Sequence, residues 1–284
     1  MKKNSPFTVI YRDARVVAVN KSPGIAVTAD RWDPAGERLD QILAAALTEP
    51  AQTEQFRLWT VHRIDRDTSG LVFFARDEET HRSLSLAFER RRVEKRYLAV
   101  VYGRPLWKET NCDLPLVPDG NKKHQTIIDK YRGKESLTCF RFLGGVGNYS
   151  VVEAMPKTGR THQIRVHLAA LGHPVVCDSL YGSGKPVFLS SFKPDRRGDP
   201  FTERPLLNRL GLHAAELALP YNPEPGGPAR AGQPDGKQTG GGQDDGDQGG
   251  NGLFKLKAPL SRDMAALINQ MEKRGAGKNL AGLP

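Results

Sequence analysis

The most informative part of this chain is Val61-His62-Arg63-Ile64-Asp65-Arg66-Asp67-Thr68-Ser69-Gly70, which runs directly into the apolar segment Leu71-Val72-Phe73-Phe74-Ala75. A short, continuous apolar run that follows a turn signal predicts a buried strand. Loops held by a rigid sheet often carry binding and catalytic residues. The polar segment is therefore predicted to be a functional loop on a core strand.

Asp65 is the candidate reactive group of this loop. It lies between two arginines, Arg63 and Arg66, and nearby positive charge keeps a carboxylate ionised and oriented. The alternative is a structural role, in which Asp65 and Asp67 form salt bridges or cap a turn through Thr68 and its neighbour. The residue types alone leave both interpretations open.

A second polar run, residues 157–167, is predicted to begin a helix. Thr161 is the expected N-cap, and the apolar residues that follow it share one face. Free N–H groups at such a helix start suit a phosphate, and Arg165 lies one turn from the cap, beside the apolar stripe. The alternative is a surface helix with ordinary arginines and histidines.

A third candidate is Tyr97, which follows three charged residues, Glu94-Lys95-Arg96, at the start of a predicted strand. An aromatic among basic residues can stack on a nucleic-acid base. The alternative is an amphipathic tyrosine at a sheet edge.

The charge of the chain favours a polyanionic partner, although solubility alone would also account for a basic excess. The 284 residues have a formal net charge of +10 and a pI of about 9.6. Residues 222–252 contain eleven glycines and four prolines, and carry five acidic against two basic residues. With so few apolar side chains they are predicted to form a disordered insert. Removing their net −3 from +10 leaves +13 on the rest.

The cysteines and the hydropathy exclude several classes of protein. The three cysteines form no C-x-x-C pair, so neither a zinc site nor a disulfide framework is expected. No segment has the apolar length of a signal peptide or a membrane span. We therefore expect a cytoplasmic protein without metal or membrane partner, and a monomer as the simplest state.

Hydrophobic patterning predicts an α+β fold with a largely antiparallel sheet, because strands and isolated helices do not alternate regularly. The predicted strands are residues 8–11, 16–20, 71–75, 97–102, 137–143 and 149–154. The predicted helices begin after Asp77, Thr161 and Ser261. The expected organisation is a catalytic domain at residues 1–220, the insert at 222–252, a completing strand and helix at 253–274, and a flexible tail at 275–284.

Together, these runs resemble the RluA-type pseudouridine synthases. The family pattern H-R-L-D-x-x-T-S-G-L matches residues 62–71, with Ile64 in place of leucine. The other family patterns follow in order over residues 8–220: K-x-Y at Lys95-Arg96-Tyr97, T-G-R-x-H-Q-I/L-R-V-H at 158–167, G-H-P…D-x-x-Y-G at 172–174 and 178–182, and H-A…L at 213–217. Two departures are Ser22 in the early N-K-P-x-G loop and Cys177 where glycine commonly precedes the aspartate.

The resemblance implies residue roles and a reaction. Asp65 matches the family's essential aspartate, Arg165 the arginine that pairs with it, Tyr97 the tyrosine that contacts the target base, and Arg63 a residue of RNA engagement and base flipping. The further predicted RNA contacts are His62, Arg66, Thr68, Lys95, Arg160, His162 and Gln163. The implied fold has a mixed, largely antiparallel sheet, flanking helices and a central RNA-binding cleft. The implied reaction converts uridine to pseudouridine in ribosomal or transfer RNA without a cofactor, and Asp65 is either nucleophile or base.

Two other functions would fit parts of the sequence. A non-enzymatic RNA-binding protein would explain the charge and Tyr97, but not an aspartate among cations. A metal-dependent hydrolase is disfavoured because His162 and His167 are five residues apart, unlike the i, i+4 pair of H-E-x-x-H.

Overall fold

The computed structural model describes residues 5–29, 33–48, 57–192, 203–223, 252–277, 280 and 283. The chain divides into two compact units, and each is built from two stretches of sequence. Unit 1 comprises Met1–Glu94 and Glu216–Pro259, and unit 2 comprises Lys95–Ala215 and Leu260–Pro284. The predicted catalytic domain at residues 1–220 therefore contains parts of both units.

The described residues form twelve strands and four α-helices. The strands are β1 (Phe7–Arg12), β2 (Val16–Lys21), β3 (Trp59–Thr60), β4 (Ser69–Ala75), β5 (Glu94–Tyr102), β6 (Glu109–Cys112), β7 (Leu116–Val117), β8 (Ile127–Ile128), β9 (Thr138–Val146), β10 (Tyr149–Pro156), β11 (Leu212–Leu219) and β12 (Phe254–Lys257). The helices are α1 (Leu39–Leu47), α2 (Glu78–Glu89), α3 (Gln163–Ala170) and α4 (Arg262–Glu272). The predicted α+β class is confirmed, and none of the helices in the described part has the length and hydropathy of a membrane span.

Unit 1 is organised around β4, whose seven residues are all buried. Strand β2 pairs antiparallel with β1 on one side and with β4 on the other, and β3 also pairs with β4. Helix α2 begins as predicted, because the Asp77 carboxylate accepts a hydrogen bond from the Thr80 N–H (2.7 Å). Leu84 of this helix packs against Phe73 and the rest of the same apolar cluster. The unit 1 core therefore includes residues of β4, the strand that directly follows the Asp65 loop.

Unit 2 contains the antiparallel strand order β5-β10-β9-β6. Helix α4 buries four apolar residues, Met264, Leu267, Ile268 and Met271, in the unit's core. Burial of each such side chain contributes about 1.5–3 kcal/mol. Ala276 and Leu280 belong to the same cluster, and the Gly145 N–H donates to the Ala276 carbonyl (2.9 Å). Both residues fall in the predicted flexible tail, and the structure instead packs them because their apolar side chains complete this core.

The antiparallel hairpin of β11 and β12 pairs Glu216–Leu219 with Phe254–Lys257, all of which belong to unit 1, and Leu219 lies opposite Phe254. The predicted insert falls between them. Its residues 224–251 lie outside the described residues.

Candidate active site

Asp65 lies in a turn immediately before β4. Its carbonyl oxygen accepts a hydrogen bond from the Thr68 N–H (3.1 Å), and its side chain is half-buried. Ser69 then begins the fully buried strand. The turn is therefore attached to a strand whose residues are all buried, as the sequence predicted for this loop.

A buried lysine holds the Asp65 turn from the other side. Lys21 is 1% exposed, and its Nζ donates to the carbonyl oxygens of Ser22 (3.0 Å), Ile25 (2.8 Å) and Arg66 (2.8 Å). The Gly24 N–H also donates to the Arg66 carbonyl (2.9 Å). Hydrogen bonds from the ammonium group to several carbonyl oxygens compensate the cost of removing that group from water. Lys21 thus joins the loop after β2 to the residue that follows Asp65.

The His62 side chain contacts residues of β4 and α2. Its Nε2 accepts a hydrogen bond from the Phe73 N–H (3.1 Å), so this nitrogen is unprotonated here. Its ring stacks on Phe88 of α2 with centroids 4.9 Å apart. His62 thus helps to anchor the loop, and its contact with RNA stays a prediction.

The other predicted RNA contacts of unit 1 differ in exposure. Arg63 and Arg66 are exposed, and Arg66 donates from Nε to the Gly24 carbonyl (3.2 Å) and lies 3.4 Å from an Asp33 carboxylate oxygen. Thr68 is 1% exposed, and its Oγ1 has no hydrogen-bond partner within the described ranges. Its burial opposes a direct contact between the Thr68 hydroxyl and RNA in this conformation.

Helix α3 of unit 2 begins differently from the prediction. Thr161 was the expected N-cap, but the helix starts at Gln163 and His162 occupies the cap position with φ 54°, in the left-handed region. The reason is a tight turn closed by the side chain of Gln163, whose Oε1 accepts from the Arg160 N–H (3.0 Å). His162 is thereby turned so that its Nδ1 lies 2.9 Å from the Tyr181 hydroxyl.

Arg165 projects from α3 into the interior of unit 2, where Asp178 binds it in a two-pronged ion pair. The Arg165 Nε donates to Oδ2 (2.7 Å) and Nη2 donates to Oδ1 (2.8 Å). Burial by itself would raise the pKa of Asp178, but the hydrogen bonds and charge of Arg165 outweigh it, and the pKa lies below its usual value. The guanidinium also lies over the Tyr181 ring, 5.1 Å from its centroid. Asp178 and Tyr181 therefore orient Arg165.

Gln163 was a predicted RNA contact and is instead the centre of a buried network. Its Oε1 accepts from the Thr158 hydroxyl (2.7 Å) and the Arg160 N–H, while its Nε2 donates to the Leu137 carbonyl (3.0 Å) and the Thr138 hydroxyl (2.9 Å). These four bonds use both donors and both lone pairs of the amide. At 4% exposure, Gln163 has a structural role in this loop.

The network continues through His167, which is wholly buried. Its Nε2 lies 3.0 Å from the Leu114 carbonyl and its Nδ1 3.0 Å from the Thr138 hydroxyl. Because a carbonyl only accepts, Nε2 carries the proton and Nδ1 accepts from Thr138. Burial lowers the pKa of His167, so the ring is neutral near pH 7.

The remaining predicted residues of unit 2 surround the same loop. Lys95 Nζ donates to the Thr158 carbonyl (3.0 Å), and Arg160 Nε donates to the Glu135 carbonyl (3.1 Å). Tyr97 lies on β5 opposite Ala154 of β10. Lys95 and Arg160 thus brace the loop before α3.

Sequence reasoning missed three residues that support these groups: Lys21, Asp178 as the partner of Arg165, and Tyr181. Each was quoted only as part of a family pattern, and their roles depend on tertiary contacts. Within the described ranges, no group of three or more His, Cys, Asp or Glu side chains has the geometry to hold a metal ion.

Comparison with known proteins gives a consistent family. The family model for RNA pseudouridylate synthase matches residues 15–170, more than half of the chain. Ribosomal large subunit pseudouridine synthase D of Zymomonas mobilis is 33% identical over 221 residues, which cover 75% of this chain and 65% of that protein. Ribosomal large subunit pseudouridine synthase C of Vibrio vulnificus is 36% identical, and the match covers 61% of that protein. The chain thus spans roughly three fifths of the length of these relatives.

Another relative, the dual-specificity RNA pseudouridine synthase RluA of Vibrio vulnificus, is 32% identical and covered to 80% of its length. Among solved structures, human RNA pseudouridylate synthase domain containing 4 has a TM-score of 0.62, 20% identity, and coverage of 93% of this chain and 92% of its own. That likeness supports the fold alone. The family model and the well-covered relative together establish that this chain belongs to the RNA pseudouridylate synthase family.

Proposed function

We propose that this chain isomerises uridine to pseudouridine in RNA, with Asp65 as the catalytic carboxylate. The observation that carries the proposal is the Asp65 turn. It is fixed between the buried strand β4 and the ammonium group of Lys21, in a chain whose family match spans this turn. A catalytic group has to be held in one geometry by rigid surroundings, and this turn has them.

The reaction needs no oxidant, reductant or transferred group. The bond between C1′ and N1 of uridine breaks, the uracil turns while it stays bound, and C1′ bonds to C5. The C5 proton is lost and N1 gains a proton, so atoms and electrons balance without a cofactor. A carboxylate can act as nucleophile or as base near the sugar, and both roles remain open for Asp65.

Other residues contribute to binding and orientation. We propose that Arg165 and Tyr97 take part in the same reaction, and that Arg63, Arg66, Lys95, Arg160 and His162 contribute to RNA binding. The target base has to leave its stack, which costs a few kcal/mol, and contacts with phosphates and bases offset that cost. The formal charge of +10 supports phosphate binding.

The substrate is proposed to be structured RNA, with ribosomal RNA as the first candidate and transfer RNA as the second. Two relatives are named for the large ribosomal subunit and a third for dual specificity. We also propose that the chain acts as a monomer without a metal ion.

The test is tritium release from RNA labelled with [5-³H]uridine, because the C5 proton leaves in this reaction. Ribosomal and transfer RNA are purified from cells that lack the protein and are assayed separately. The wild-type chain should release tritium, before and after dialysis against a chelator, and Asp65→Asn should release none while it still binds RNA. RNA binding by the wild type without release would identify a non-catalytic RNA-binding protein. Full activity of Asp65→Asn would remove that residue from the chemistry.

A further inference from the structure

Residues 113–136, between β6 and β9, form a segment of unit 2 that we call the arm. Within it, β7 and β8 pair antiparallel, with Leu116 opposite Ile128. Leu116 is fully buried, so the base of the arm is fixed in the core. The arm contains none of the residues that the sequence predicted to be functional.

After β8, residues 129–134 of the arm form a turn that is closed by several hydrogen bonds. The Asp129 carboxylate accepts from the Tyr131 N–H (2.9 Å), the Arg132 N–H (3.0 Å) and the Arg132 Nε (2.7 Å). These bonds, chiefly the one from the Arg132 backbone, lower the pKa of Asp129 to about 2. The Asp129 carbonyl accepts from the Gly133 N–H (2.9 Å), where a Cβ would collide with this carbonyl oxygen and with the Pro115 backbone.

This turn displays an aromatic ring to solvent. Tyr131 is 99% exposed, and its sequence neighbours Lys130 and Arg132 are exposed cations. Leu106 is the other large apolar side chain of the described residues with comparable exposure, at 102%. A tyrosine and an arginine side by side on a fixed surface are residue types that dominate binding interfaces. The order of the turn and the exposure of Tyr131 therefore indicate a partner surface.

The arm is attached directly to the residues around Arg165. The Thr126 N–H donates to the Tyr181 hydroxyl (2.8 Å), and the Thr126 hydroxyl donates to the Thr161 carbonyl (2.9 Å). Arg160 reaches the arm through its bond to the Glu135 carbonyl, and His167 through its bond to Leu114. If one unit of a polymer were bound beside Arg165, the units next to it in that polymer would therefore lie near the arm.

We propose that the turn at residues 129–134 is an RNA contact outside the uridine site, in which Tyr131 stacks on an unpaired nucleotide and Lys130 binds a phosphate. This inference rests on the proposed function, since it assigns a second contact to the same RNA. Aromatic rings stack on bases of any sequence, and cations beside them neutralise the backbone. A protein partner is disfavoured, because the ring is flanked by Lys130, and lysine is depleted in protein–protein interfaces.

The test compares Tyr131→Ala with Tyr131→Phe, and uses Leu106→Ala as the control for loss of an equally exposed apolar side chain. The probes are ribosomal and transfer RNA purified from cells that lack the protein, measured by filter binding and by tritium release. Tyr131→Ala should weaken RNA affinity and raise KM by about fivefold or more, the usual cost of losing one base stack. Tyr131→Phe and Leu106→Ala should match the wild type.

Lys130→Ala adds an independent measurement. Loss of one phosphate contact should reduce the slope of log affinity against log salt concentration by about 0.7 to 1. An unchanged slope would remove Lys130 from the contact.

The outcomes separate this inference from the proposed function. If the wild type releases tritium and Tyr131→Ala keeps wild-type affinity and KM, the RNA contact is wrong and the enzymatic function stands. If no RNA releases tritium, the function fails, while the affinity ratio of the alanine and phenylalanine variants still decides the contact. If Tyr131→Ala differed from the wild type in its sedimentation coefficient but not in its RNA affinity, the turn would be a protein interface, and the proposal would be overturned.

Discussion

Asp178 holds both oxygens of its carboxylate against Arg165, at 2.7 and 2.8 Å, and the two side chains are almost completely buried. Oδ1 also accepts from the N–H groups of Leu180 (2.9 Å) and Tyr181 (3.1 Å). One carboxylate therefore orients the guanidinium and the turn that places the Tyr181 ring over it.

Asp178→Asn should destabilise the protein by about 3–5 kcal/mol, because it breaks the buried ion pair in which the Asp178 carboxylate binds the Arg165 guanidinium at 2.7 and 2.8 Å. Turnover should fall as well, since Arg165 loses its orientation. Urea unfolding and tritium release measure the two effects, with Asp113→Asn at an exposed position as control. Equal stability of the two variants would contradict this role.

Asp178→Asn should also change how the free energy of unfolding depends on pH in acid. The pKa of Asp178 is lower in the folded protein than in the unfolded chain, so the unfolded chain binds more protons in acid. The stabilising effect of the Asp178 carboxylate is complete at a pH above the pKa that Asp178 has in the unfolded chain. It is lost as the pH falls below about 4. The free energy of unfolding of Asp178→Asn should therefore depend less on pH in that range than that of the wild type.

Lys21→Met should reduce turnover by about tenfold to hundredfold, because small displacements of a catalytic group have costs of that order. RNA affinity should be retained, since Lys21 is buried and donates to the Arg66 carbonyl of the Asp65 turn. Tritium release and filter binding are compared with Lys257→Met, an exposed lysine of the same unit. A folded Lys21→Met variant with the wild-type rate would refute the positioning role.

Gln163→Leu separates a structural residue from a residue that binds RNA. The variant removes all four amide bonds, and each buried group left without a partner costs about 1–3 kcal/mol. Stability should therefore fall markedly against Gln41→Leu, an exposed control on α1. RNA affinity, measured under conditions in which the variant is still folded, should be unchanged. A loss of RNA affinity in the folded variant would instead support a direct contact between Gln163 and RNA.

Cys177 has φ 58°, which explains why glycine is favoured at this place in the family pattern. A side chain in the left-handed region costs about 1–2 kcal/mol. Here the buried thiol partly compensates, since its Sγ donates to the Leu207 carbonyl (3.5 Å) and it packs in the core. Cys177→Gly should therefore melt at a higher temperature than Cys177→Ala, which keeps the strain and loses the sulfur. The reverse order would show that the strain is negligible.

The β11–β12 hairpin predicts that residues 222–252 can be replaced by Asn-Gly, which leaves a connection of five residues between Leu219 and Phe254. Leu219 and Phe254 lie opposite each other, so a short connection can join the strands. Shortening the loop should raise the free energy of unfolding by about 1–2 kcal/mol through reduced closure entropy. Calorimetry checks this, and loss of the cooperative transition would mean that the replaced residues are needed for folding.

The elements that could be predicted from sequence are those with local signals. Asp77 caps α2 because the capping bond lies within four residues, and the apolar spacing of α4 is visible in the chain. Helix α1 was missed because Arg38 at its N-cap position makes no side-chain cap bond. Strands β7 and β8 have two residues each and leave no periodic pattern.

The candidate residues divide in the same way. The Asp65 loop was predicted from its polar run before an apolar strand, and the structure places it there. The contacts of Lys21 with the Arg66 carbonyl and of Arg165 with Asp178 join residues 45 and 13 positions apart. No local pattern specifies such pairings, because they depend on how the sheet and the left-handed turns bring distant backbone together.

The buried network around Gln163 has a fixed polarity from end to end. It starts at the Leu137 N–H, which donates to the Thr158 hydroxyl (3.0 Å), passes through Gln163 and Thr138 to His167, and ends at the Leu114 carbonyl. Because both ends are main-chain groups, no side chain between them can reverse its proton order alone. Substitutions along this path should therefore be inherited in concert, and the positions should covary as a block when sequences of the family diverge.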